Sequence, residues 1–469
     1  MTLRSFVRRG ALAAAAGALA ACSSMAPRYE RPAAPVAAAF PLAPAAAASA
    51  PDAAAPAARW RDFLGGDPRL VALVDLALAN NRDLRVAVAN IEVARNQARV
   101  TGAAELPTVA LAATHTRTTG QPTVDTFGLG VSAWELDLWG RVRSLTDAAL
   151  AQYAATRQAR AAAQVSLVAS VAGAYVAMAA DQALADLAQR TFETRTETMK
   201  LVQLRFDQGV ASSIELQDNR TLVEAARVAL AQARRQRALD EDALVLLVGR
   251  PLPADLPPAP AWDAIALPDV PVGLPSQVLL QRPDVVQAED QLRAANADIG
   301  AARAAFFPTI SLTGSAGTAS TSLDHLFEHA AFSFVPQVTL PIFDAGRNGA
   351  NLRISQAQRD IAVAQYEKAV QSAFRDVADA LAGRATLAEQ LDAQQAQADA
   401  EAKRFALSSL LYENGVASSL DLLDAQRALF AARQALVQTR LLLLQNRIAV
   451  YRAIGGGWSQ EDAREAASR

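Results

Sequence analysis

GVASSIELQD, from Gly209 to Asp218, returns as GVASSLDLLD from Gly415 to Asp424, with about seven of the ten positions identical and the rest mostly conservative. Internal repetition on this scale means that one structural unit has been built twice. The offset that superposes these stretches also superposes Gly140-Arg141, in WELDLWGRVR, on Gly346-Arg347, in LPIFDAGRNGA, without a gap. A slightly shorter offset brings Asp83 to Pro107 onto Asp284 to Pro308. Each half reads as helix, strand pair, very long helix, GVASS turn and helix. The first repeat covers 59–249 and the second 276–458.

A chain of 469 residues would ordinarily suggest two or three domains, but a duplication of this size favours one pseudo-symmetric unit. Alanine is abundant, and with Leu, Gln, Arg, Asp and Glu at helical spacing it indicates long packed helices. The formal net charge is −2 and the basic residues are spread through the helices, so no nucleic-acid partner is expected. His325 and His329 stand at i, i+4, the spacing of two metal ligands on one helix face. With no Cys or further His near them, they read as an exposed loop pair and no metal is expected.

The only cysteine is Cys22, which excludes disulfides and thiolate metal sites. Arg4, Arg8 and Arg9 precede the apolar run Gly10 to Ala21, which is too short for a bilayer but suits a signal peptide over 1–21. Leu19-Ala20-Ala21-Cys22 looks like a lipobox, so covalent lipid on Cys22 is expected and no other cofactor. Ser23 after it favours the outer membrane, by analogy with enterobacterial sorting. Residues 22–58 collapse to Ala and Pro and read as an extended lipidated tether.

Asp67 is placed to cap a helix that opens on Pro68, and a second helix spans about Asp83 to Ala104. Four segments then alternate apolar with small or polar residues: about 107–116, 126–137, 308–317 and 332–342. No mature segment is read as holding the roughly 18 uncharged apolar residues of a membrane helix, so a membrane must be crossed by these strands. Four strands do not close a barrel, since small barrels use about eight, and the barrel must be shared between chains. Arg141 to about Asp207 lacks Pro and, at 1.5 Å per residue, predicts a helix of roughly 100 Å. Gly346 to about Leu411 repeats it. Leu216 to Val248 and Leu420 to Ile454 return as coiled-coil-like partners, with Leu422, Ala425, Leu429, Ala432, Leu436, Leu443 and Val450 on a 3-4 spacing. The Pro-rich 250–275 stretch reads as an irregular equatorial connector, and 459–469 as a mobile tail.

The lipobox, WELDLWGRVR, GLPSQVLLQRPDV (Gly273 to Val285), FFPTISL, LPIFDAGR and the two GVASS turns together resemble the outer membrane factors. These are the TolC-like exit ducts of tripartite efflux systems, and the resemblance is to their OprM/NodT lipoprotein branch, across nearly the whole mature chain. It implies a mainly α fold with a β-barrel portion, in which three chains form a trimeric α/β barrel. Each chain contributes four transmembrane strands and long periplasmic helical hairpins. The implied role is passive conduction of small molecules across the outer membrane of a Gram-negative bacterium. The implied partners are two further copies of the chain, a periplasmic adaptor, an inner-membrane transporter of the RND type, and outer membrane lipid. A type I protein-secretion duct and a pore-free structural lipoprotein are the competing readings; the second has no need of four alternating strands.

The GVASS turns lie at the ends of the long helices away from the strands, so the periplasmic mouth and its gate are expected there. Ser212 with Glu215, and Ser418 with Asp421, have capping-box spacing. Asp218 and Asp424 lie one turn deeper. Asp421 and Asp424 share a face, and in a trimer they stack as carboxylate rings. In TolC-like channels such positions narrow the entrance, and Tyr412 matches a tyrosine that holds it shut, while an arginine of the family's constraint is replaced by Ala417. Gly209, Val210, Ser212, Gly415, Val416 and Ser418 are the tip residues expected to meet the adaptor. No GxxxxGK[ST] loop, acid pair in a pocket or nucleophile with a His base is found, so no catalysis is expected.

Overall fold

The computed structural model describes residues 24–41, 59–269 and 276–457. The signal peptide, Cys22 and the 459–469 tail lie outside the described residues. The helices are α1 (Trp60–Leu64), α2 (Pro68–Asn80), α3 (Arg82–Ala103), α4 (Arg141–Asp207), α5 (Ser213–Val248), α6 (Pro283–Ala304), α7 (Arg347–Glu413) and α8 (Ser419–Ala453). The strands are β1 (Val109–Thr116), β2 (Val124–Leu136), β3 (Thr309–Ser320) and β4 (Ala330–Thr339). The duplication is visible in element lengths: α4 and α7 are both 67 residues long, and α3 and α6 both 22. The described residues form two compact units, one drawn from 24–35, 87–159 and 284–369, the other from 36–41, 59–86, 160–269, 276–283 and 370–457.

The first unit holds a four-stranded antiparallel sheet in the order β1-β2-β3-β4, so both repeats contribute to it and its two outer edges are unpaired. Directly paired residues share a face. One face carries Val109 and Leu111, then Leu129 and Val131, then Ile310 and Leu312, then Phe332, Phe334 and Val338. The opposite face carries mostly Gly, Ala, Ser and Thr, with Gln337 and the apolar Val124 and Val335 among them. A β-bulge in β2 between Val131 and Trp134 keeps that division. It changes parity, so that Trp134 and Leu136 join the apolar face instead of Ala133 and Glu135. Gly128 pairs with Gly317 on the small face, where an added Cβ on Gly128 would lie 2.5 Å from the Ala316 carbonyl oxygen. The strands extend beyond the expected 126–137 and 308–317 at their hairpin ends, because pairing continues to Asp125↔Ser320. β4 is Ala330–Thr339 rather than 332–342, its pairing with β3 running from Thr318↔Ala330 to Thr309↔Thr339.

The tether expectation needs correction over the described residues 24–41. Residues 25–31 lie along one face of α6, whose Glu289, Arg293, Asn296, Gly300 and Arg303 recur at helical spacing. Arg303 donates to the Met25 carbonyl at 3.1 Å and Asn296 to that of Pro27 at 2.8 Å. Tyr29 and Arg31 both donate to the buried Glu289, at 3.1 and 3.0 Å. Burial and the Glu289 charge push the Tyr29 hydroxyl up to about 12, so it stays a donor. An extended Ala/Pro chain forms no core but keeps its carbonyls free as acceptors, which a helix studded with Arg and Asn can use.

The second unit has an apolar core from α1, α2, the middle of α4, the end of α5 and the last turns of α8. Asp67 caps α2 as expected, accepting from the Arg69 and Leu70 amides at 2.9 and 3.1 Å, and it takes a third bond from the Tyr175 hydroxyl at 2.7 Å. The connector adds Ile265 and Leu267 to this core, with carbonyls accepting from Arg440 and Arg447 at 3.3 and 2.5 Å. One expectation fails in α4: residues 161–180 are an uncharged run, long and apolar enough to cross a membrane by length and composition. Its Val168, Val171, Ala172, Tyr175 and Val176 are instead buried in this core, which accounts for the composition. Leu422, Ala425, Leu429, Ala432 and Val450 of the expected seam are buried.

Candidate functional site

The two GVASS turns are built alike in their backbones. Gly209 and Gly415 both adopt φ of 74°, a left-handed conformation that ends a helix with least strain on glycine. Val210 and Ala211 amides donate to the Arg205 carbonyl at 2.9 and 3.2 Å; Val416 and Ala417 amides donate to that of Leu411 at the same distances. Val210 and Val416 stand out at the tips, 65% and 75% exposed. Ser212 and Ser418 then cap α5 and α8, accepting from the Glu215 and Asp421 amides at 3.1 and 3.3 Å.

The side chains break the symmetry. At the second turn the capping box is complete: Asp421 also accepts from the Ser418 amide at 3.2 Å and its hydroxyl at 2.6 Å. Those bonds, from the Ser418 side chain first, hold the Asp421 carboxyl below the usual carboxylate range. At the first turn the box is half made, which corrects the expectation of two equal boxes. Glu215 accepts from the Tyr412 hydroxyl at 2.6 Å instead, and Arg205 donates to the same hydroxyl at 2.7 Å. The Arg205 guanidinium lies 5.2 Å from the Tyr412 ring centre. Burial, then the bond to Glu215, push the Tyr412 hydroxyl up to about 12. Tyr412 therefore stays neutral and donating throughout the neutral range, a clip from the end of α7 to the start of α5.

Asp424 forms an ion pair with Arg404 of α7, which also contacts Glu401 at 3.3 Å. The two expected ring carboxylates are both exposed, yet each is engaged, one in a cap and the other by a cation. Asp218, the counterpart of Asp424, makes no ion pair among the described residues. Arg205 and Arg404 are functional candidates that sequence reasoning passed over. Arg205 stands in the last turn of α4, near its C-terminal dipole, while Arg404 lies nine residues before the end of α7, and the partner of each lies on another helix. Ala417 indeed leaves no cation at its own turn, and Arg205 of the other hairpin is the one that reaches Tyr412. Among the described residues no group of three or more His, Cys, Asp or Glu is arranged for a metal.

A family model described as outer membrane efflux protein matches residues 73–250 and 274–456, one segment in each repeat. The chain is 45% identical over 464 residues to the probable efflux pump outer membrane protein TtgC of Pseudomonas putida, covering 96% of each. It resembles a crystal structure of a membrane protein from Pseudomonas aeruginosa at 40% identity and a TM-score of 0.86, covering 93% of this chain and 98% of the other. It also resembles the open state of the MtrE outer membrane channel of Neisseria gonorrhoeae at 39% identity and a TM-score of 0.83, with the same coverage.

Proposed function

The chain belongs to the outer membrane efflux protein family, and on that premise we propose that it is the passive exit duct of a tripartite efflux pump. The observation that carries the reading is the sheet: four strands, one apolar face, and two unpaired edges. Unpaired backbone edges are not tolerated in hydrocarbon, so each edge must meet another chain, and a homotrimer closes the ring with strands from every copy. The apolar face then meets lipid and the Gly/Ser/Thr face lines water. Lipid on Cys22 anchors the assembly to the same membrane.

The helix-tip turns form the periplasmic mouth in this reading. Tyr412, held by Arg205 and Glu215, clips one hairpin to the other, while Asp421 and Asp424 present acidic rings to cations. A periplasmic adaptor docks on the exposed tips around Val210 and Val416 and shifts the mouth toward its open form, in concert with an inner-membrane transporter of the RND type. The chain supplies no chemistry and no energy. Opening by such a partner requires only that it bind the open form better than the closed one.

Single-channel recording of the purified trimer in a planar bilayer tests this. Small, cation-selective openings are expected, with selectivity reduced in Asp421→Asn/Asp424→Asn. No conductance from inserted, trimeric protein would overturn the duct.

A further inference from the structure

We propose that a cavity in the helical unit, between α4 and α8, binds small amphipathic anions, a carboxylate or phosphate group carried on an apolar body. The cavity holds about 830 Å³ and is closed on one side by Pro260 to Asp263 of the connector. That is the volume of a site for a drug-sized molecule. It is separate from the helix-tip turns and uses none of their residues.

Its charge is lopsided. Arg69, Arg190, Arg195, Arg237 and Arg433 line it, against the carboxylates of Asp186 and Asp263. The Asp263 carboxylate is 91% exposed and lies 3.9 Å from Arg440, while Asp186 accepts from Gln182 at 2.8 Å. Only Arg237 among the five has a carboxylate within ion-pair distance, Glu241 at 3.6 Å. Arg69, Arg190, Arg195 and Arg433 make no ion pair among the described residues.

Arg195 is the centre of the argument. It is 6% exposed, donates one bond to the Leu222 carbonyl at 3.0 Å, and has its Nε buried without an acceptor. Its guanidinium lies 5.5 Å from the Phe430 ring centre. Burial, and then repulsion from Arg427, depress its pKa, the mark of a cation lacking a counter-charge. Arg69 Nε is also buried without an acceptor, at the opposite, Tyr175 end of the cavity, about 30 Å along α4 from Arg195. A buried cation without a counter-charge is costly, and an anion seated beside it offsets that cost. Guanidinium forks match the geometry of carboxylate and phosphate. The remaining lining chooses among anions: Met178, Leu429, Phe430, Leu436 and Val437 offer a surface that an inorganic ion leaves empty and a ring or short chain fills.

Calorimetric titration of the full chain in lipid nanodiscs, with empty nanodiscs subtracted, tests the site using 2-naphthoate, 2-naphthyl phosphate and the neutral 2-naphthylmethanol. One saturable site per chain is expected for either anion, with the alcohol weaker by about tenfold or more. Comparison of the two anions tells which headgroup the site prefers. Arg195→Met should weaken anion binding by about tenfold, and Arg190→Met/Arg433→Met, at exposed positions, should weaken it while leaving assembly intact. If Arg195→Met does not assemble, the exposed double variant carries the test alone. Equal binding of alcohol and anions, unchanged affinity in the variants, or no saturable binding would each overturn the proposal.

Discussion

The two helix-tip turns have nearly the same sequence and backbone, yet one spends its acidic residue on itself and the other on a neighbour. Asp421 closes a capping box with Ser418, whereas Glu215, one methylene longer, accepts from Tyr412. The position that matches Tyr412 in the first repeat is Phe206, which has no hydroxyl to offer in return. The duplicated backbone thus supplies two equal tips, and a few side chains decide which of them is clipped.

The largest effect should come from Tyr412→Phe, which keeps the ring and removes both bonds. Hydrogen bonds to charged groups contribute about 1.5–3 kcal/mol each, less where water reaches them, so open probability in single-channel recordings should rise about tenfold or more. Glu215→Asp is the sharper break: the shorter acid should complete the box at its own turn and release Tyr412. Openings should increase as in Tyr412→Phe, while the helix melting temperature changes little. Ser418→Ala should cost about 1 kcal/mol and Ser212→Ala somewhat less, since only Ser418 takes part in a full box. Thermal melts followed by circular dichroism read that difference.

Acidity separates the hairpins again. Asp181 of α4 is pushed up to about 7 by burial and by its hydrogen bond with Asp240 of α5. The matching pair in the second hairpin is Leu387 and Asn446, which do not titrate. A carboxyl raised in the folded state adds stability at low pH and loses it as pH rises through its folded value. Lowering pH from about 8 to about 6 should therefore raise the melting temperature modestly, and Asp181→Asn should flatten the response. The clip should not respond over the same range, because Tyr412 ionises only near 12. Smallest is Arg404→Ala. The pair is exposed and screened by salt, so a shift in cation selectivity that fades with added salt is expected, with little change in melting.

What could be read from the chain alone was whatever repeats or caps locally. The duplication is a match of whole stretches, and the helix starts at Asp67 and Ser418, the ends at Gly209 and Gly415, and the alternating strand faces each rest on neighbours within a few residues. The clip does not. Arg205 and Tyr412 are separated by a whole repeat, and nothing near either one announces the other. The bulge after Val131 and the docking of residues 25–31 on α6 were hidden for a related reason: one is a change of parity, the other uses backbone carbonyls that every sequence carries. The apolar middle of α4 shows that composition measures burial without naming the solvent, since a run long enough for a membrane packs into a protein core.

Equal length in α4 and α7 has a rotational consequence. An α-helix turns by about 100° with each residue, so two 67-residue helices that start alike arrive at their turns in the same phase. One residue added to either would swing its tip by about 100° and lift it about 1.5 Å, carrying Arg205 or Tyr412 out of reach of the other. Seven added residues come back to within about 20° of the starting direction. They also lift the tip by about 10.5 Å, so insertions compatible with the clip should be matched in both helices at once.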